Sequence, residues 1–207
     1  MISRPSEVRP MKKTSLLVAI LMAVFYITGG NYSASAQNKE DNVMASNNPK
    51  ILVAYFSHSG NTKNVAQQIQ SLVGGDIFEI STVQGYPSEY RATTEVARKE
   101  LDGNFRPQLS GQVADMASYD LIFLGYPNWW STMPTALFTF LEQYDFSGKS
   151  IAPFCTHEGS RLGRSLDDLG RLAPGARITK GFEIRGSRVA GAGESLSAWI
   201  KEIGLAP

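Results

Sequence analysis

Ser57-His58-Ser59-Gly60-Asn61-Thr62 follow an apolar run, Ile51-Leu52-Val53-Ala54-Tyr55-Phe56, and precede a segment whose apolar residues recur at helical spacing. Hydroxyls, a side-chain amide and a glycine at a strand-to-helix turn suit one task in particular, holding a phosphate. The first amides of a helix lack intrahelical partners, and glycine lets the backbone come close to the ligand, so no lysine or arginine is required. Capping a helix takes one hydroxyl. This loop offers three, so the reading goes past capping to phosphate binding. The Gly-Lys-Ser/Thr of a nucleoside-triphosphate loop is absent, which argues against that ligand with magnesium. Gly191-Ala192-Gly193 has Leu196 where the dinucleotide fingerprint needs its third glycine.

A second group, Gly125-Tyr126-Pro127-Asn128-Trp129-Trp130-Ser131-Thr132-Met133-Pro134, offers two adjacent tryptophans. Indoles give a flat apolar face to a planar ring, and the loop backbone can hydrogen-bond the ring's edge. Neighbouring side chains point apart, so one indole should turn inward and the other toward ligand or solvent. A third group, Thr156-His157-Glu158-Gly159-Ser160-Arg161-Leu162-Gly163, can close the opposite side. Both histidines of the chain, His58 and His157, fall in these groups, and each is read as a surface residue. Cys155 is read as a small buried apolar residue and Glu158 as a solvated loop charge. An esterase built on Ser57 or Ser59 with His58 or His157 lacks the Gly-x-Ser-x-Gly elbow and an acid placed to orient a histidine. No catalytic side chain and no metal ligand set is assigned.

These groups need elements to position them. Residues 51–56 read as a strand buried on both faces. Val65, Ala66, Ile69, Leu72 and Val73 then fall on one helical face, stopped by Gly74-Gly75. Residues 77–80 predict a short strand, and 88–101 a polar helix with Tyr90, Ala97 and Leu101 near one side. Residues 121–125 predict another buried strand, followed by a helix opened by Pro134. Residues 151–155 predict a fourth strand despite Pro153, 165–172 a weaker helix, and 178–184 a fifth strand. Leu196, Trp199, Ile200 and Ile203 mark a last helix. This alternation predicts a three-layer α/β domain with a parallel sheet. Ligands of such sheets bind beyond the carboxyl ends of the strands, where the three groups lie.

Composition is that of a globular chain: 43% apolar and 19% charged over 207 residues. One cysteine and two histidines exclude an internal disulfide and a structural zinc site. Met11-Lys12-Lys13, the apolar run 16–27 and Ser33-Ala34-Ser35-Ala36 predict a secretory leader, residues 1–36, cleaved after Ala36. Its apolar run covers only about 18 Å of helix against a hydrocarbon core of about 30 Å, so no stable membrane insertion is expected after cleavage. Residues 37–49 read as a flexible tether and 50–207 as the folded domain, exported to the periplasm or cell envelope. Setting aside Arg4, Arg9, Lys12, Lys13 and Glu7 from the 20 basic and 19 acidic residues leaves 16 against 18, a net charge of −2. That is no footprint for nucleic acid.

The first and second groups, with Tyr86-Pro87-Ser88-Glu89-Tyr90, Arg106-Pro107, residues 144–149 and Phe154-Cys155-Thr156-His157, carry a resemblance to the flavodoxin family. They look most like bacterial members with a Tyr-Pro-x-Trp-Trp loop. The resemblance covers residues 50–205 and implies a flavodoxin-like fold, a five-stranded parallel sheet of order 2-1-3-4-5, with bound flavin mononucleotide (FMN). By this likeness Ser57, Ser59, Gly60, Asn61 and Thr62, with His58 in the same loop, hold the phosphate. Pro127, Asn128, Trp129 and Trp130 flank the isoalloxazine, and Thr156, His157, Gly159 and Gly163 border its other side. The resemblance also implies the short-chain form, with no insertion in the fifth strand.

The sequence departs from the family's electron carriers in having near-zero charge, no tyrosine in the third group, and Glu158 and Arg161 where glycine is more usual. Three roles stay open at this stage. They are an electron carrier, a reductase passing electrons from a nicotinamide to a quinone-like acceptor, and a non-redox module binding a flavin or a phosphate ligand.

Overall fold

The computed structural model describes residues 48–205; the predicted leader, most of the tether and the last two residues lie outside them. The first apolar run is β1 (Ile51–Tyr55), buried throughout. It is followed by α1 (Asn61–Val73), β2 (Asp76–Glu79) and α2 (Tyr90–Asp102). Then come β3 (Leu121–Pro127), α3 (Thr135–Glu142), β4 (Ser150–His157) and α4 (Ser165–Leu172). The chain closes with β5 (Arg177–Ile178), β6 (Phe182–Arg185) and α5 (Gly193–Glu202). Among the described residues these six strands all pair in parallel, in the order β2-β1-β3-β4-β5, with β6 also on β4.

The sheet is buried on both faces because alternate residues of each central strand enter different cores. Ile51, Val53, Leu121 and Phe123 pack with Val65, Ala66 and Ile69 of α1 and Leu196, Trp199 and Ile200 of α5. Leu52, Ala54, Ile122 and Leu124 pack with Ala136, Leu137 and Phe140 of α3 and Leu169 of α4. Two-sided burial leaves no freedom in register, so the carboxyl ends of β1, β3 and β4 are fixed side by side.

The predicted fifth strand is broken into β5 and β6, and Pro153 supplies a reason. Ile151 accepts from Thr179 on the β5 side through its carbonyl, whereas the Thr156 carbonyl accepts from Asn128 on the β3 side. By that alternation the Pro153 nitrogen faces β5 and β6. Residues 179–181, between Ile178 and Phe182, leave the ladder there, so no ladder hydrogen bond is required of the Pro153 nitrogen. The second difference is Tyr90. At 81% exposure it stands outside the apolar side of α2, whose contacts come from Thr93 and Ala97.

Candidate functional site

The three groups meet at one edge of the sheet and are stitched to one another. The Asn128 amide N–H donates to the Thr156 carbonyl at 2.8 Å, and the Arg164 N–H to the Ser131 carbonyl at 2.8 Å. Asn128 Nδ2 donates to the Arg161 carbonyl at 2.7 Å. The Thr62 and Thr156 hydroxyls share a hydrogen bond of 2.8 Å beneath the site. Between the groups opens a cavity of about 700 Å³, lined by Ser59 and Asn61 at one end and by Trp129, Trp130, Thr156 and His157 at the other.

At the first end, α1 starts from Gly60, whose φ of 89° is left-handed and whose side offers no cap. Among the described residues, none of the backbone amides of residues 58–62 donates to a protein acceptor. The first amide to find one is that of Lys63, which donates to Ser57 Oγ at 3.2 Å. A row of unpaired amides at a helix start is positive and convergent, the arrangement that binds an anion. A Cβ built on Gly60 would meet nothing within 4 Å, so the approach is open.

The three hydroxyls therefore have three tasks. Ser57 caps the helix and does not line the cavity. Thr62, 1% exposed, braces the floor against Thr156. Ser59 alone among them lines the cavity. His58, also at the cavity, packs its ring against Trp129, and its Nε2 lies 2.8 Å from the Pro87 carbonyl. A carbonyl only accepts, so Nε2 carries the proton.

At the second end the sequence Trp129-Trp130-Ser131-Thr132 makes a two-residue hairpin. Trp129 N–H donates to Thr132 O at 2.8 Å, and Thr132 N–H to Trp129 O at 3.1 Å. Trp130 and Ser131 have φ of 51° and 67°. Successive left-handed residues define a type I′ turn, normally the province of Asn and Gly, so tryptophan and serine there store strain. As expected for neighbours, the indoles diverge. Trp129 is half-buried against Phe56, Tyr86 and His58, edge-to-face at 5.5, 5.0 and 5.8 Å. Trp130 is 46% exposed; its Nε1 donates to the Thr94 carbonyl at 3.0 Å, and Arg98 lies 5.0 Å over its ring.

Side chains from α2 and α4 hold this strained turn. Thr132 donates to Asp168 Oδ2 at 2.6 Å. Burial pushes the Asp168 pKa upward, but the Thr132 and Arg171 hydrogen bonds and the charges of Arg164 and Arg171 outweigh it and hold the carboxyl below its ordinary value. Glu100 accepts from both Tyr86 and Thr135 at 2.7 Å and so fixes the tyrosine behind Trp129.

The third group differs most from its reading. His157 is buried at the end of β4, where Nε2 pairs with the Glu183 carboxylate of β6. An acid is thus placed on a histidine after all, and Glu183 also takes Arg161 at 3.1 Å. Among the described residues no serine hydroxyl bonds to either histidine, so a hydrolytic triad does not assemble. Arg161 has φ of 54°, the physical reason glycine suits its position. Gly163 does not line the cavity; a Cβ there would stand 2.3 Å from the Ser131 carbonyl, so its bareness serves loop packing. Gly159 faces a different cavity. Cys155 is fully buried as read, and burial pushes its thiol pKa up.

Sequence reasoning missed the α2 wall, where Tyr90, Thr93, Thr94 and Ala97 line the cavity. The rule that ligands sit beyond the strand ends applies to β2 as well, and its following loop leads straight into α2. Among the described residues no group of acids, histidines and cysteines is spaced to hold a metal, and no helix is long and apolar enough to cross a membrane.

Comparison with known proteins places this geometry. The flavodoxin family model matches residues 50–203. Flavodoxin 1 of Escherichia coli (strain K12) is 26% identical over 106 residues, 49% of this chain and 46% of that protein. The chain's match thus spans about half the length of the curated relatives it matches. Among solved structures, a candidate flavoprotein of Bacteroides eggerthii DSM 20697 superposes with a TM-score of 0.65 at 31% identity, over 76% of this chain and 99% of that one. A flavoprotein of Lactobacillus acidophilus NCFM, in complex with FMN, gives a TM-score of 0.57 at 27% identity, over 69% and 97%. With its parallel 2-1-3-4-5 sheet and the match along nearly the whole described domain, the chain belongs to the flavodoxin family.

Proposed function

We propose that the chain is an FMN-dependent electron-transfer protein whose ring end admits a small quinone-like acceptor, with a nicotinamide as the donor. The observation that carries the cofactor is the row of unpartnered amides at residues 58–62, opening into a cavity that ends in two tryptophans. FMN has a dianionic phosphate at one end and a planar ring at the other, and it is the cofactor that the family match and the Lactobacillus complex support.

In this reading the residue 58–62 amides, Ser59 and Asn61 hold the phosphate. Trp129, Trp130, Pro127, Asn128, Thr156 and His157 border the ring. When bound, FMN supplies the one- and two-electron chemistry. The protein fixes the ring's place and, through backbone groups of residues 126–133 and 156–163, sets its electrostatic surroundings. Turnover of a small acceptor is favoured over docking of a protein partner because Thr93, Thr94 and Ala97 of α2 wall the cavity together with the tryptophan loop, giving it a concave shape. The folded part also lacks the strong negative charge with which a carrier meets basic partners. Export through the leader at residues 1–36 is part of the same proposal, and sequencing the amino terminus of protein recovered from the cell envelope checks it.

Titration of the cofactor-free chain with FMN, against riboflavin as the ligand lacking phosphate, tests the core of this reading. Tight FMN binding with quenched flavin fluorescence and much weaker riboflavin binding is expected. Equal affinity for the two would remove the phosphate cradle from the argument. Steady NADPH oxidation with a quinone by the FMN-loaded protein alone then supports the reductase, and dependence on a second protein would replace it by a carrier.

A further inference from the structure

A second cavity of about 480 Å³ lies on the other side of His157, at the carboxyl end of β6. Arg161, Arg185, Arg188, Glu183 and Ser195 line it together with His157, the one residue it shares with the first cavity. Glu183 is the acid of this lining, and it is already engaged by His157 and by Arg161. Among the described residues Arg185 and Arg188 have no carboxylate partner and donate no hydrogen bond to the protein. Two guanidinium groups are therefore uncompensated at one concave place.

Two further features add to this. Ser195 belongs to the first turn of α5, whose amino-terminal end carries positive partial charge. Gly159 also lines this cavity, and a Cβ built on it would stand in ordinary contact with Arg185 Nη2, at 3.7 Å, which places that guanidinium at the cavity wall.

We propose that this cavity is an anion subsite that takes the phosphate or carboxylate end of a small redox substrate, whose reacting end reaches the first cavity past His157. The substrate class deepens the proposed function and rests on it; the anion binding does not. Guanidinium forks match phosphate and carboxylate oxygens in pairs. A concave site sized for a small molecule suits such a group better than the flatter surface of an acidic protein. The subsite is separate from the proposed FMN phosphate cradle, since His58, Ser59 and Asn61 line the first cavity and none of residues 58–62 lines this one.

The test is calorimetric titration of the FMN-loaded full chain, its cradle filled, with inorganic pyrophosphate and separately with citrate. Saturable binding is expected, weaker at raised salt, and reduced about tenfold or more in the R185Q/R188Q variant, the loss expected when charge-assisted hydrogen bonds are removed. FMN affinity should be equal in the two proteins. R185K/R188K should restore part of the binding, since charge returns without the fork. Preference for pyrophosphate or citrate tells a phosphate-bearing substrate from a carboxylate-bearing one.

Absence of saturable binding for both anions, or binding undiminished in R185Q/R188Q, overturns the proposal. So does a loss of FMN affinity in that variant, which would assign the arginines to the cofactor. If the chain binds no FMN, the proposed function fails by itself. The dependence of pyrophosphate binding on Arg185 and Arg188 in the cofactor-free chain then decides the subsite.

Discussion

The two ends of the first cavity are built by opposite means. At residues 58–62 the open groups are main-chain amides, delivered by a helix start that leaves them unpaired among the described residues. At residues 128–132 the backbone is held in a strained left-handed turn, and bonds to distant elements hold it there. Asp168 takes Thr132, Asn128 reaches Arg161, and Glu100 fixes the tyrosine behind Trp129. An end made of amides tolerates many side-chain changes but responds to any new charge. An end made of braces depends also on residues that stand behind the cavity, such as Asp168 and Glu100.

The largest expected effect breaks the first end electrostatically. Ser59→Glu places a carboxylate beside the open amides, and repulsion of a phosphate at a few ångströms should weaken FMN binding by about a hundredfold or more. Ser59 is exposed, so thermal unfolding should stay unchanged, and riboflavin affinity should stay the same. Parallel fluorescence titrations with the two flavins measure both.

A middle effect breaks the second end from beneath. Asp168→Ala should cost about 1–3 kcal/mol of stability, because buried hydrogen bonds to a charged group are lost, and it should weaken FMN and riboflavin alike. Since the folded-state Asp168 pKa is depressed, its contribution is present at neutral pH and is lost as pH falls through that depressed value, below the ordinary 3.8. The urea-midpoint gap between the native chain and Asp168→Asn should therefore be widest at neutral pH and close in acid. A gap that persists unchanged in acid would mean the charge of Asp168 does not support the turn.

The smallest effect sharpens the comparison by relieving strain. Ser131→Gly permits the left-handed φ without penalty and should raise stability by up to about 1 kcal/mol, seen as a higher urea midpoint. If stability falls instead, the Ser131 side chain packs to more effect than its backbone costs.

The same contrast decides what could be read before the structure. The strands and helices were legible because burial on two faces writes continuous apolar runs, and burial on one face writes helical spacing. The end with the open amides was legible because its chemistry is local, within six residues of a strand end. Even there, the division of labour among Ser57, Ser59 and Thr62 was not, since the partner of Thr62 lies 94 residues away. Asp168, Glu100 and Glu183 left no local mark at all. Each is an acid in a helix or strand whose partner is decided by how layers stack. His157 was read as a surface residue for that reason, its strand end being buried by β6, a segment that sequence spacing did not separate from β5.

The break between β5 and β6 has a meaning for the protein before it is loaded. An open sheet offers bare ladder groups along its two outer margins, and long flat margins recruit other chains. Here one margin is β2, four residues long, and the other is interrupted after the two residues of β5. A cofactor-free molecule waiting for its ligand thus presents neighbours with short, discontinuous templates, which disfavours self-association while the cavity is empty.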